Sequence, residues 1–278
     1  FVYLRQYLPH RIYGQYIDYM FQTPTTRVWR GLFDEGKLNQ DQSHFWKEKP
    51  AEELYDLQND RDEVVNLVEA PEYAEVLAKL RGAHESWEHE IRDIGFLPEA
   101  EIHARAAGAT PYEVGRDSAR YDFDAVFTAA RLASSRKVAD LPVIVALLGS
   151  PDSGVRYWGA TGLLIHGKAG YESGAEELRK ALEDDCGSVA IVAAESLGRF
   201  GEPADREKAL DLLLAKADQE KGTVYEAILA VNALDYLDEA AASRMEAIRQ
   251  LPRKPGKPAP RADGYVGNLL KHLTEEAK

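Results

Sequence analysis

The chain has 278 residues, of which 45% are hydrophobic and 29% are charged, and its formal net charge is −13. This is enough apolar content for two modest domains, or for one domain and a repeat array, and it excludes a globally disordered chain. Because a nucleic-acid surface needs clustered Lys and Arg, we expect no DNA or RNA partner. No apolar run approaches the roughly 20 residues that a membrane helix requires, so we expect no membrane span.

The single cysteine, Cys186, excludes an internal disulfide, which is compatible with the cytosol and with a bacterial periplasm. No signal peptide opens the chain. The sequence begins without Met at Phe1, inside a predicted strand, and we therefore expect it to be a fragment whose natural N-terminal part is missing.

The first hundred residues predict a mixture of short strands and helices. Glu53-Leu54-Tyr55-Asp56-Leu57 alternates polar and apolar residues, as a half-buried strand does. The polar turn at 59–62 is followed by a predicted helical turn at 63–67 that buries Val64 and Leu67. In chain order the other predicted elements are a strand at 1–7, a loop at 9–15 and helices at 17–22, 24–33, 39–46, 71–94 and 98–107.

From residue 123 onward, alanine- and leucine-rich helices follow one another with short turns. The segments 150–155, 184–189 and 219–224 each carry a turn that ends in Val, at intervals of about 34 to 37 residues. Each leads into an apolar helix, and the partner helices are predicted at 141–148, 174–182, 206–214 and 240–251. The pattern resembles HEAT-type repeats, and such helix pairs bury their faces by stacking into an α-solenoid. We also predict an extended spacer at 252–260 and a capping helix at 265–273.

The predicted organisation is thus α+β followed by all-α. A domain at 1–107, with a small antiparallel sheet and helices, precedes a linker at 108–122, which has no periodic pattern. The helical repeat domain occupies 123–278.

Several near-matches to chemical motifs are better explained as structure. His84 and His89 are five positions apart, so they cannot share a helix face as zinc ligands at i and i+4 do. The acidic turn at 56–60 lacks the glycine and the final glutamate of a calcium loop, and 162–168 has the spacing of a phosphate loop without its Ser or Thr. Cys186 follows two acidic residues, which raise the pKa of a thiol. We therefore predict no catalytic residue and no metal ligand in this chain.

One loop concentrates groups that could contact a ligand. His10, Arg11, Tyr13 and Gln15 bring an imidazole, a guanidinium, a phenol and an amide together. Such a set suits an anionic or sugar-like substrate through charge-assisted hydrogen bonds. The alternative is a solvated loop that packs on the body of the domain.

Three blocks carry a family resemblance: 3–15, then 24–29 with 36–39, and finally 49–57 with Asn66-Leu67. They resemble the C-terminal part of bacterial type I sulfatases, the formylglycine-dependent family that includes arylsulfatases and the heparan N-sulfatase group. The resemblance covers roughly residues 1–100. It departs from the family at Asp60-Arg61, where Asp-Pro is usual.

The resemblance implies a small antiparallel sheet packed against a catalytic domain that lies upstream. That domain would carry a Cys/Ser-x-Pro-x-Arg segment, converted to formylglycine, and a calcium ion. The segment 186–190 lacks the proline and the arginine, so we expect this chain alone to be inactive, with calcium and formylglycine in the missing domain. The implied parent enzyme hydrolyses sulfate esters or sulfamates, with sulfated sugars as one substrate class.

The implied partners are the missing sulfatase domain and a protein or sulfated glycan. The family resemblance implies a periplasmic or extracellular location, while the cysteine content leaves the cytoplasm open. The alternative function is a non-enzymatic HEAT-repeat adaptor that binds another protein through the repeats.

Overall fold

The computed structural model of the chain describes residues 1–254, 262 and 264–275. The chain folds into two compact units, Phe1–Arg92 and Asp93–Lys278.

The first unit contains a two-stranded antiparallel sheet. Strand β1 (Val2–Arg5) pairs with β2 (Glu52–Tyr55), with Tyr3 opposite Leu54 and Arg5 opposite Glu52. Its α-helices are α1 (Asp18–Phe21), α2 (Pro24–Asp34), α3 (Gln40–Ser43) and α4 (Ala74–Ile91), with single 3-10 turns at His44–Trp46 and Pro71–Tyr73. The predicted small antiparallel sheet with helices is confirmed.

The helical turn predicted at 63–67 is wrong. These residues are not helical, and Val64 is 49% exposed. The segment instead lies along the open edge of β2, where the backbone N–H of Leu67 donates to the carbonyl of Leu54 over 2.8 Å. The side chain of Asn66 accepts from the Leu54 N–H at 3.0 Å and donates to the Glu52 carbonyl at 3.2 Å. These bonds satisfy edge groups of β2 that a helical turn would leave open.

The second unit is helical over the described part of the chain. Its α-helices are α5 (Glu99–Arg105), α6 (Pro111–Arg116), α7 (Phe123–Ala133), α8 (Leu141–Leu147), α9 (Ser153–Ile165), α10 (Gly167–Ala181), α11 (Gly187–Phe200), α12 (Pro203–Ala217), α13 (Val224–Tyr236), α14 (Met245–Arg249) and α15 (Tyr265–Glu275). Shorter 3-10 segments lie at Ile94–Phe96, Val138–Asp140 and Asp238–Arg244.

The predicted repeats are present as helix pairs. Helix α11 packs against α9, α10, α12 and α13, which explains why every residue from Gly187 to Gly198 is buried. Helix α10 is kinked at Gly174, where its second half begins as predicted. The helix predicted at 240–251 is reduced to a 3-10 segment and the five residues of α14.

The segment predicted as a linker, 108–122, lies inside the second unit. It contains α6, and Val114 and Tyr121 are fully buried. The Tyr121 hydroxyl donates to the carbonyl of Asp93 over 2.7 Å, and its ring packs edge-on against Phe123. These interactions join the segment to helix α7, so the compact unit begins at Asp93, earlier than the predicted repeat domain. The predicted spacer at 252–260 falls mostly on residues outside the described ones.

Within residues 1–254 and 264–275, no helix is long and apolar enough to cross a membrane.

Candidate functional site

A buried carboxylate organises the first unit. Glu53 is 2% exposed, within the segment predicted as a half-buried strand. Its Oε1 accepts hydrogen bonds from the hydroxyl of Tyr13 and from Gln6 Nε2 at 2.9 Å, and its Oε2 accepts from the Tyr55 hydroxyl at 2.6 Å. His44 Nε2 lies 3.8 Å from Oε2. A buried carboxylate is tolerated when its oxygens are paired in this way.

The two phenols are held in their protonated form. Burial raises the pKa of both Tyr13 and Tyr55, and the hydrogen bond and negative charge of Glu53 raise each of them further. Both hydroxyls therefore stay donors to Glu53 across the physiological pH range.

The loop 9–15 is fixed by the chain segment that leads into β2. The N–H of Lys49 donates to the Pro9 carbonyl over 2.9 Å, Ile12 forms an antiparallel bridge with Glu48, and the Gly14 N–H donates to the Phe45 carbonyl at 2.9 Å. A Cβ at Gly14 would lie 2.4 Å from a ring carbon of Trp46, so a glycine is required at this close approach. The loop therefore has a fixed conformation within the first unit.

The four residues predicted to bind substrate have different environments. His10 is buried at 8% exposure, and the hydroxyl of Tyr13 is used by Glu53. Arg11 and Gln15 are half-buried. The four side chains therefore differ in exposure, and the Tyr13 hydroxyl is already engaged by Glu53.

Sequence reasoning missed Lys49, which lies beside this loop. Its Nζ is 5.4 Å from the centre of the Tyr13 ring, in cation–π geometry. Burial lowers the pKa of Lys49, the charge of Glu53 opposes that shift, and the positive charge of Arg11 lowers the pKa further. Lys49 is thus within electrostatic reach of both Glu53 and Arg11. The sequence signal was the place of Lys49 as the first residue of the block 49–57.

The polar groups around Glu53 are engaged with one another within the unit. Glu53 is surrounded by donors, and the tyrosines are held protonated. Among the described residues, no group of three or more His, Cys, Asp and Glu side chains converges to hold a metal ion.

A second polar cluster lies within the helical unit and connects α5 to two repeat turns. Glu101 accepts hydrogen bonds from Arg105 Nε at 2.8 Å and from the hydroxyl of Ser153, and Cys186 Sγ lies 3.5 Å from its Oε2. Arg105 also forms a two-point ion pair with Asp152, at 2.9 and 3.1 Å. Because each charged group of this cluster is paired with another residue of the chain, the cluster holds α5 in place and is not a binding site.

The predicted rise in the pKa of Cys186 is present, with a different main cause. Burial raises the pKa to about 11, and Glu101 adds a smaller electrostatic contribution. The acidic residue that contributes to this pKa is Glu101 of α5, 85 positions away in the sequence. The acidic residues directly before Cys186 are not the main cause.

Comparison with known proteins finds two kinds of similarity. Residues 141–232 match the family model of HEAT repeats. A stretch of 103 residues is 40% identical to an ulvan-active sulfatase from Formosa agariphila, covering 37% of this chain and 17% of that protein. The chain therefore matches well under two thirds of the length of this relative. No solved structure matches the chain.

Proposed function

We propose that this chain is the C-terminal part of a formylglycine-dependent sulfatase that acts on a sulfated polysaccharide. The observation that carries the proposal is the 40% identity over 103 residues to an ulvan-active sulfatase. The catalytic formylglycine and its calcium ion belong, in this proposal, to the remainder of the enzyme, and the enzyme acts in the periplasm or outside the cell.

The first unit contributes substrate contacts rather than chemistry. Lys49 places a positive charge over the Tyr13 ring, and Arg11 adds a second from the loop 9–15, which is anchored by three backbone contacts. A sulfate group carries a delocalised negative charge that Arg and Lys bind through charge-assisted hydrogen bonds.

The binding role is tested with the chain as it stands. Sulfated oligosaccharides prepared from ulvan are titrated calorimetrically into the wild-type protein and into the Arg11→Gln/Lys49→Gln double variant. We expect the double variant to bind about fivefold to tenfold more weakly, since two partly exposed ion contacts are lost. Lys37→Gln is the matched control, because Lys37 is exposed and pairs with Glu35. Equal affinity for chemically desulfated oligosaccharides would contradict the role.

The proposal that the chain belongs to a sulfatase is tested separately on the coding sequence. We expect the reading frame on the N-terminal side of Phe1 to encode a Cys/Ser-x-Pro-x-Arg segment. The full protein should release sulfate from ulvan oligosaccharides, while this chain alone should not. A complete upstream frame without that segment would refute the assignment.

A second function, protein binding by the helical unit, is favoured by the match of residues 141–232 to HEAT repeats. In this proposal the repeats stack as an α-solenoid, and the unit docks a partner protein next to the enzyme. Crosslinking of the full protein in intact cells should give crosslinks from 141–232 to one other protein, and crosslinks confined to its own chain would count against it.

A further inference from the structure

A cavity of about 640 Å³ lies within the helical unit, between α5, the start of α13 and the start of α15. Its size falls in the range of pockets that hold small ligands or a few side chains. Ile94, Ile102 and Ile228 form much of its apolar wall. All the residues that line the cavity belong to the second unit.

Aromatic rings form a second wall of the cavity. The imidazole of His103 stacks on the ring of Tyr225, with ring centres 4.5 Å apart and planes 10° from parallel. Tyr265 contributes a third ring and is 57% exposed. Stacking holds His103 and Tyr225 in fixed positions, so their outer faces form a preformed flat surface.

One carboxylate, that of Glu99, lies at this wall. Glu99 Oε1 lies 3.0 Å from Nε2 of His103, which is charged only when it is protonated. In the part of the chain that the structure describes, Glu99 has no Lys or Arg within ion-pair distance. The cavity lining therefore contains a carboxylate and aromatic faces, and no Lys or Arg among the described residues.

From this combination we infer that the cavity binds a lysine side chain presented by a segment of a partner protein. The isoleucines suit the aliphatic stem of the lysine, and the aromatic faces and Glu99 suit its ammonium group. The net charge of −13 attracts basic partners. A neutral sugar would leave most of its hydroxyls facing isoleucine side chains, which favours the lysine.

The probe is a blocked pentapeptide, Ala-Leu-Lys-Leu-Ala, compared with the same peptide carrying norleucine in place of lysine. Norleucine keeps the aliphatic stem and removes the charge. Titrations of the full chain are followed by NMR through the imidazole signals of the His103 ring, which faces the cavity. We expect the lysine peptide to bind about tenfold more tightly than the norleucine peptide at low salt.

Two variants test the residues that carry the inference. Glu99→Gln should weaken binding of the lysine peptide about threefold to fivefold, and Tyr225→Leu should weaken it by a similar factor. Glu176→Gln is the matched control, since Glu176 is an exposed helical glutamate that pairs with Lys180 and does not line the cavity. The control should bind like the wild type.

Five results would overturn the inference. The first four are no binding of the lysine peptide, equal binding of the norleucine peptide, equal losses in the Glu99→Gln and Glu176→Gln variants, and tighter binding of a neutral disaccharide such as xylobiose. Tighter binding of free 1,4-diaminobutane than of the lysine peptide would also overturn it, because a partner protein would not be needed. None of these results bears on the Arg11–Lys49 contact, so the two proposals fail independently.

Discussion

The hydroxyl of Tyr13 donates a hydrogen bond to the carboxylate of Glu53, 40 positions further along the chain. This bond joins the loop 9–15 to strand β2, and Tyr55 and Gln6 complete the donor set of the same carboxylate.

Removal of this carboxylate should strongly destabilise the first unit. Glu53→Ala leaves three donors without their acceptor, so we expect a loss of about 3 kcal/mol in the free energy of unfolding. Glu53→Gln keeps one carbonyl acceptor and should lose less. Urea unfolding followed by tryptophan fluorescence measures the change. The exposed Glu35 serves as the control site, and a Glu35→Ala loss as large as that of Glu53→Ala would refute the prediction.

The ion pair between Arg105 and Asp152 should be a main support of α5. Arg105 is 13% exposed at its side chain, so Arg105→Met leaves Asp152 and Glu101 partly buried without their cation. We expect a loss of about 3 kcal/mol in unfolding free energy. The matched change, Arg249→Met, removes an exposed pair with Glu246 and should cost less than about 0.5 kcal/mol. Similar losses for the two variants would show that the cluster contributes little.

Acid should weaken the pair between Asp205 and Arg179. The two-point hydrogen bond with Arg179 holds the pKa of Asp205 below its ordinary value of 3.8. The unfolded chain therefore takes up the proton at a higher pH than the folded chain does. The stability that the ion pair contributes is complete at pH values well above 3.8, and it is lost as the pH falls through the lower pKa of Asp205 in the folded chain.

The Asp205→Asn variant should consequently lose less stability than the wild type between about pH 6 and about pH 3. Thermal unfolding followed by circular dichroism measures both slopes. Asp211→Asn is the control, since Asp211 is an exposed partner of Arg244. Identical pH slopes for the wild type and Asp205→Asn would contradict the assignment.

Cys186 should react slowly with thiol reagents. With its pKa raised from 9.0 to about 11 by burial and by Glu101, its thiolate fraction at neutral pH is about a hundredfold below that of an ordinary thiol. Iodoacetamide alkylation at pH 7, with glutathione as the reference, measures the rate. Glu101→Gln should speed alkylation modestly. A rate equal to that of glutathione would show that the thiol is accessible and unshifted.

Two glycine-to-alanine changes should have opposite signs. A Cβ at Gly170, in α10, would lie 2.0 Å from the carbonyl oxygen of Leu163, so Gly170→Ala should cost about 2 kcal/mol or more. Gly82, in α4, has no atom within 4 Å of its added Cβ, so Gly82→Ala should stabilise by about 0.5–1 kcal/mol through helix propensity. Melting temperatures test the pair, and stabilisation by Gly170→Ala would contradict the packing described.

Sequence patterns predicted local elements better than the environments of individual residues. The helices α9, α11 and α13 follow from turns and apolar spacing, since each begins at one of the predicted repeat turns. The burial of Glu53 could not be predicted, because alternation along β2 carries no information about donors that arrive from residues 6 and 13. Lys49 was missed for the same reason, since its neighbour Arg11 lies in a distant part of the sequence.

The contacts of helix α5 affect how the helical unit unfolds. Its residues contact the first turns of three successive repeat helices, through Glu101 with Ser153 and Cys186 and through His103 with Tyr225. An array held only by contacts between neighbours can fray one repeat at a time from its end. Because α5 touches three repeats, loss of any one of them weakens the hold on the others. The described repeats should therefore melt in one transition, and amides in α9, α11 and α13 should share a single opening free energy in hydrogen exchange.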